Sequence, residues 1–198
     1  MDLLDKAMRG DIADLDSITL AKLYDYDIYE LGNAAYSIRE SYFDRKVFFN
    51  INRHINPTNI CADVCKFCAF SASRKNPNPY SMSIDEVVNL CVNAYNNGAK
   101  EVHIVAAHHP THEYQHYLDM FRAVKDSVPH IHVKAMGAAE IDYLTRKFNL
   151  PLEQVINDLI ESGVDSLPGG GAEIFDEKVR KTLCHGKANA ERWLEIHK

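Results

Sequence analysis

NRHINPTNICADVCKFC, residues 52–68, decides how the rest of the chain is read. It closes a strand-like run that begins at Val47 and then sets out three of the chain's five cysteines, Cys61, Cys65 and Cys68, with three and then two residues between them. A structural zinc site ordinarily takes four nitrogen or sulfur ligands, and disulfides take cysteines in pairs. Three thiolates fit neither pattern well. A 4Fe-4S cluster normally takes four cysteines, so three would hold three irons and leave the fourth open to a reactant.

Outward from this stretch, strand-like and helix-like segments alternate. The run from Val47 to Ile60 is succeeded by a helical period over 83–97, VHIVAA at 102–107, a helix over 113–126, HIHVKAM at 130–136 and a helix over 140–162. VDSLP at 164–168 and a helix over 173–181 close the series. Short strands separated by helices of three to four turns imply βαβ units on a parallel sheet, because parallel neighbours need a crossover of that size. The punctuation agrees: Ser83 with Glu86 has the form of a capping box, and Gly98 and Gly163 stand where helices end. About four βα units are expected, too few to close an eight-stranded barrel of ~250 residues. The predicted fold is therefore α/β, a partial TIM-type barrel over residues 46–198. An N-terminal helical segment over 1–45 precedes it, with Ile28, Leu31, Ala35, Ile38 and Tyr42 on one apolar face that is expected to pack on the later part of the chain.

Composition sets limits on function. A chain of 198 residues, 46% apolar and 25% charged, is long enough for one globular core. A formal charge of -6 argues against a nucleic-acid partner held by excess Lys and Arg. The acidic N-terminus lacks the basic end and apolar run of a signal peptide, and no stretch approaches the ~18 apolar residues of a membrane span. Reduced thiols, a cytoplasmic location, no membrane association and a small-molecule substrate are the expectations.

The cysteine spacing with Phe67, in the first loop of a partial α/β barrel, resembles the radical S-adenosylmethionine superfamily. Within it, NRHINPTNIC, CKFCAFSA, VHIV with HP at 109–110, VKA, AAEIDYL and DSLPGGGAEIFDEKVR are similar to the aminofutalosine synthase family of menaquinone biosynthesis. Dehypoxanthine futalosine cyclase and the deazaflavin cofactor synthases share the triad and are the nearest alternatives. The resemblance implies a 4Fe-4S cluster on Cys61, Cys65 and Cys68, with S-adenosyl-L-methionine chelating the open iron. It further implies one-electron cleavage to a 5'-deoxyadenosyl radical that adds to 3-[(1-carboxyvinyl)oxy]benzoate, giving 6-amino-6-deoxyfutalosine, methionine and bicarbonate. An electron donor such as flavodoxin or ferredoxin is implied as partner. Where the family commonly carries a glycine pair, this chain has Ala106 and Ala107.

Further candidates lie in the loops at the carboxyl ends of the strands, where functional groups collect in such folds. Phe67, Ala106, Ala107, Glu140, Gly169, Gly170 and Gly171 are expected to meet the cofactor. The glycines would let backbone amides approach a ribose or carboxylate, or would simply make a strand-to-helix turn. Arg74, His108 and His109 are expected to meet a carboxylated substrate. Cys91 and Cys184 read as small buried hydrophobes. The competing class is a zinc hydrolase: HEYQH at 112–116 matches H-E-x-x-H, in which two histidines one turn apart bind metal and Glu113 acts as base. The triad itself, completed by His54 or another ligand, is a second zinc reading. The last segment, ERWLEIHK, reads as a helix without a stop signal. The half-barrel is therefore expected to keep an open sheet edge, to self-associate, and to turn over poorly on its own.

Overall fold

The computed structural model describes residues 2–63, 65–72 and 77–198. The chain divides into two compact units, Met1–Phe49 and Asn50–Lys198. The first holds α1 (Leu3–Arg9), α2 (Ser17–Ala21), a 3-10 turn (Lys22–Asp25) and α3 (Ile28–Phe43). Each of the three α-helices is opened by an aspartate side chain, Asp2, Asp16 or Asp27, that accepts a backbone N–H. Within α3 the buried residue is Ala34.

The second unit is built on three parallel strands in the order β1 (Asn52–Ile55), β2 (Glu101–Ile104), β3 (His132–Ala135). The helices in chain order are α4 (Ile84–Asn96), α5 (Tyr114–Ser127), α6 (Ala138–Phe148), α7 (Leu152–Glu161), α8 (Glu177–Cys184) and α9 (Ala190–His197). The Ser83–Glu86 capping box opens α4 as its sequence requires, and Gly98 and Gly163 take positive φ after α4 and α7.

Strand side chains alternate between faces. Ile55, Val102, Ile104, Val133 and Ala135 join the core with Val87 and Cys91 of α4 and Phe121 and Val124 of α5. The opposite face is polar. Register pairs Asn52 with Glu101 and Glu101 with His132, then His54 with His103 and His103 with Lys134. Lys134 Nζ lies 3.0 Å from Glu101, and the rings of His54 and His103 stack at 4.9 Å. Parallel sheets usually bury two apolar faces, so a polar row on one of them points to an interior that serves a ligand.

Four sequence expectations need correction. The first strand is shorter than the run 47–60, because Val47, Phe48 and Phe49 are exposed and unpaired in any strand. The fourth unit is an arm reduced to a single parallel bridge, Lys134 to Ser166. Asp165 N donates to Val133 O at 2.8 Å and Ala135 N to Ser166 O at 2.9 Å. The ladder stops there because the Asp165 carboxylate takes the Val133 N–H itself at 2.7 Å, and Pro168 has no N–H to give. The helix expected over 140–162 is two helices. Asn149 turns left-handed at φ 53° and Pro151 opens α7, since proline disfavours helical backbone in the residue before it. Finally, the helix expected over 173–181 begins later, at Glu177, after Glu173 at φ 53°.

Candidate metal centre

The loops that leave β1, β2, β3 and the Ser166 arm meet at one end of the sheet and enclose a cavity of about 340 Å3. Cys61, Cys65, Phe67 and Cys68 form one wall; Ala106, Ala107 and His108 another; Gly137 and Glu140 a third; Pro168, Gly170 and Gly171 a fourth. The size lies within the usual range of ligand pockets, ~300–1,000 Å3.

The cysteine loop is fastened on both sides. Ala62 N donates to His108 O at 2.8 Å, and Lys66 N to Leu183 O at 2.8 Å. His108, 5% exposed, stacks on Tyr143 with ring centres 4.6 Å apart and places Nδ1 2.7 Å from Asp63 Oδ2. Burial works against a charged Asp63, but the bond and charge of His108 carry its carboxyl below the ordinary range. The thiols differ. Burial raises Cys61 and pushes Cys65 up to about 11. At Cys68 burial is outweighed by hydrogen bonds from the Ser71 side chain and from its backbone N–H, 3.4 Å from the sulfur, with smaller help from the Phe70 backbone and the charge of Lys187, so its pKa is lowered.

Glu140, 9% exposed, lines the cavity and also ties two of its walls together. Its Oε1 accepts Ala106 N at 2.9 Å and its Oε2 accepts Gly137 N at 2.8 Å, so the carboxylate staples the loop after β2 to the start of α6. Burial raises its pKa despite these two bonds. The glycine turn is held by Arg180, 2% exposed, whose guanidinium donates to the carbonyls of Gly171, Ala172, Ile174 and Ala188. Gly171 needs its φ of 86°, and a Cβ there would come 3.3 Å from the Ala139 Cβ. Trp193 of α9 donates to Gly170 O at 3.0 Å.

Two expected site residues are not brought to the cavity. Gly169 is absent from its wall. His109 turns away and stacks on His112 at 3.6 Å, because Tyr143 and Lys147 hold its backbone carbonyl. Arg74 lies outside the described residues. The HEYQH reading also loses its geometry: His112 precedes α5 instead of lying on it, and its Nε2 lies 3.1 Å from Ser81 Oγ.

Residues 55–198 match the model of the radical SAM superfamily. The chain belongs to that superfamily. It is 40% identical over 172 residues to an aminodeoxyfutalosine synthase of Thermus thermophilus, covering 87% of this chain and 46% of that protein. It is 36% identical over 170 residues to a 5-amino-6-(D-ribitylamino)uracil–L-tyrosine 4-hydroxyphenyl transferase of Methanopyrus kandleri, covering 86% and 46%. The chain thus spans about half the length of the curated relatives it matches. Among solved structures, methylornithine synthase superposes with a TM-score of 0.71 at 19% identity, over 99% of this chain and 54% of that one, a likeness of fold.

Radical SAM enzymes use a 4Fe-4S cluster and S-adenosylmethionine. The donor set fits a cluster held at three corners: three sulfurs line one cavity, while Cys91 and Cys184 are wholly buried and absent from its wall. A mononuclear alternative, with Cys61, Asp63 and His108 donor atoms within 4.8 Å of one another, is weaker because the carboxylate and imidazole already bind each other. Among the residues that sequence reading missed, Asp63 was visible inside the motif. His103, Lys187 and Arg180 gave no signal, since only the fold brings strand β2 and the turn after α8 to cysteines far away in sequence, and a buried arginine of α8 to the glycine turn.

Proposed function

We propose that the chain carries the radical SAM part of an aminofutalosine synthase, a cytoplasmic enzyme that joins the 5'-deoxyadenosyl group of S-adenosyl-L-methionine to 3-[(1-carboxyvinyl)oxy]benzoate. The products are 6-amino-6-deoxyfutalosine, methionine and bicarbonate, and a flavodoxin or ferredoxin supplies the electron. The observation that carries this reading is the shared cavity: the three cysteines, the small residues Ala106 and Ala107 and the Gly170–Gly171 turn face one space. The 40% identity to the Thermus thermophilus protein favours the synthase among superfamily members. When bound, the cluster and its cosubstrate supply one-electron cleavage of a sulfonium; positioning and exclusion are left to the protein.

The chain's own residues have definite parts. Glu140 and Arg180 fix the backbone of the two walls that would face the adenosyl group, which limits the motion of a bound reactant. Asp63 and His108 hold the cysteine loop in place. Val105 and His103 form the floor. The test is anaerobic incubation of the reconstituted protein with reductant, S-adenosylmethionine and the enol ether, and then mass analysis. A nucleoside adduct of the enol ether is expected, at a low level because the chain spans about half the length of its relatives. Release of 5'-deoxyadenosine with no adduct, or an adduct only when tyrosine and 5-amino-6-(D-ribitylamino)uracil are supplied, overturns the assignment.

A further inference from the structure

Lys187 lies in the turn between α8 and α9, more than a hundred residues from the cysteines in sequence, yet it lines their cavity. Its Nζ stands 5.4 Å from the centre of the Phe67 ring, the aromatic residue between Cys65 and Cys68. On its far side the ammonium is bonded to Glu173 Oε1 at 2.7 Å, and Glu173 does not line the cavity. The positive member of the pair therefore lines the cavity that the sulfurs share, and the negative member does not.

The turn that carries Lys187 is locked to the cysteine loop. Lys66 N donates to Leu183 O at 2.8 Å, Lys187 N donates to Cys184 O at 3.0 Å, and Arg146 donates to Gly186 O at 2.8 Å. Gly186 lies so close to Asp63 that a Cβ would come 2.7 Å from its Cγ. A lysine on a free loop would swing toward water; this one is held in place, with only 19% of its side chain accessible. Burial disfavours its charge, but the bond and charge of Glu173 raise its pKa above the ordinary lysine value, so the ammonium persists at every working pH.

We propose that Lys187 sets the reduction potential of the cluster bound by Cys61, Cys65 and Cys68, its fixed positive charge favouring the reduced state. The proposal rests on the cysteines holding a cluster and goes beyond it by naming a residue that governs how readily the electron enters. The sign comes from electrostatics. Reduction adds one negative charge to the cluster, and a cation in the low-dielectric wall stabilises that charge more than it would in water. Phe67 keeps the ammonium aligned through its ring face. Glu173 moderates the effect, so removing the lysine and removing the glutamate must move the potential in opposite directions.

The experiment is a redox titration, monitored by electron paramagnetic resonance, of the anaerobically reconstituted chain and its Lys187→Met, Lys187→Arg and Glu173→Gln variants. Lys187→Met is expected to bind iron normally and to lose about tenfold in the reduction equilibrium, a shift of about 59 mV to more negative potential for one electron. Glu173→Gln is expected to shift it severalfold the other way, and Lys187→Arg to restore the original value. If Lys187→Met fails to retain iron, the Glu173→Gln shift decides, since it leaves the lysine in place. Unchanged midpoints in iron-loaded Lys187→Met, or in Glu173→Gln, overturn the proposal and leave the cluster assignment standing. Failure of the unaltered chain to take up iron and sulfide overturns both.

Discussion

Two stretches of this chain have metal-ligand spacing, and the fold treats them in opposite ways. Cys61, Cys65 and Cys68 leave β1 in a loop without regular structure, tied down by His108, Leu183 and Asn59 backbone carbonyls, and all three face one cavity. His112 and His116 have a helical spacing, but the helix begins at Tyr114, between them. Their rings lie 4.1 Å apart with His109 stacked on the outer face of His112. Imidazole binds a metal in the plane of its ring, so the stacked His109 and His112 rings do not share one ion, and the His116 ring is tilted 47° to that of His112. Spacing proposes a ligand set, and the capping and packing of the segment decide whether the donors converge.

The sharpest way to break this contrast is to exchange the losses. Cys61→Ala, Cys65→Ala and Cys68→Ala are each expected to reduce the iron and sulfide of the anaerobically reconstituted protein to a small fraction of the unaltered level, because each thiolate holds one iron. His112→Ala and His116→Ala are expected to leave the content unchanged. Metal analysis with the visible absorption spectrum reads both arms. A protein that keeps iron without Cys65, or that binds one zinc lost with His112, would reverse the roles assigned to the two stretches.

Much of this was legible. The parallel α/β pattern, the Ser83–Glu86 box and the cysteine triad all come from local chemistry: side-chain period, capping atoms and thiolate count. The helix break at 149–151 is hidden because an apolar period runs across Asn149 and Pro151, and their backbone effects outweigh it. VDSLP reads as a strand, but Asp165 uses its own carboxylate on β3 and truncates the ladder. Paired roles were the least legible. Glu140 was visible as a polar residue at a strand end, but its partners Ala106 and Gly137 are backbone amides, which every residue type except proline offers. His108 and His109 are neighbours with identical side chains; the fold sends one to Asp63 in the cavity wall and the other into the histidine stack.

A smaller effect sharpens the comparison at the wall both regions share, since Glu140 borders the cysteine cavity and also the small cavity lined by His112 and His116. Glu140→Ala leaves the Ala106 and Gly137 N–H groups without an acceptor. Each buried orphan costs roughly 1–3 kcal/mol, part of which is offset by no longer burying a carboxylate, so a loss of about 2–3 kcal/mol is expected. Glu140→Gln keeps one acceptor oxygen and is expected to lose about half as much. Urea unfolding at pH 7.5 measures both. Equal stability of Glu140→Ala and the unaltered chain would mean that the two loops hold their positions without the staple.

The smallest expected effect belongs to the histidine stack and is read by pH. Burial is the largest cause that lowers the pKa values of His109, His112 and His116, and neighbouring cations add to it at His109 and His112; His112 falls to about 4. The groups that meet His112 are His109, His116, Tyr117, Lys147 of α6 and the Ser81 hydroxyl, none of them a carboxylate; Glu140 lines the same small cavity but its two oxygens are taken by the Ala106 and Gly137 N–H groups. In the unfolded chain the same imidazole titrates near 6.5. Between pH 6.5 and about 4 the unfolded state therefore binds a proton that the folded state refuses, and stability falls as pH falls through that window. Below about 4 the full penalty is in place. His112→Gln removes the titrating group while keeping a polar partner for Ser81. It is expected to be close to the unaltered chain at pH 7.5 and to lose less stability on moving to pH 5. Urea midpoints at the two pH values give the difference of slopes. Parallel slopes would mean that His112 is solvated in the folded protein and that its neighbours tolerate the charge. An iron content that stays constant across the same pH change, in both proteins, would confine the acid response to the histidine side of the shared wall.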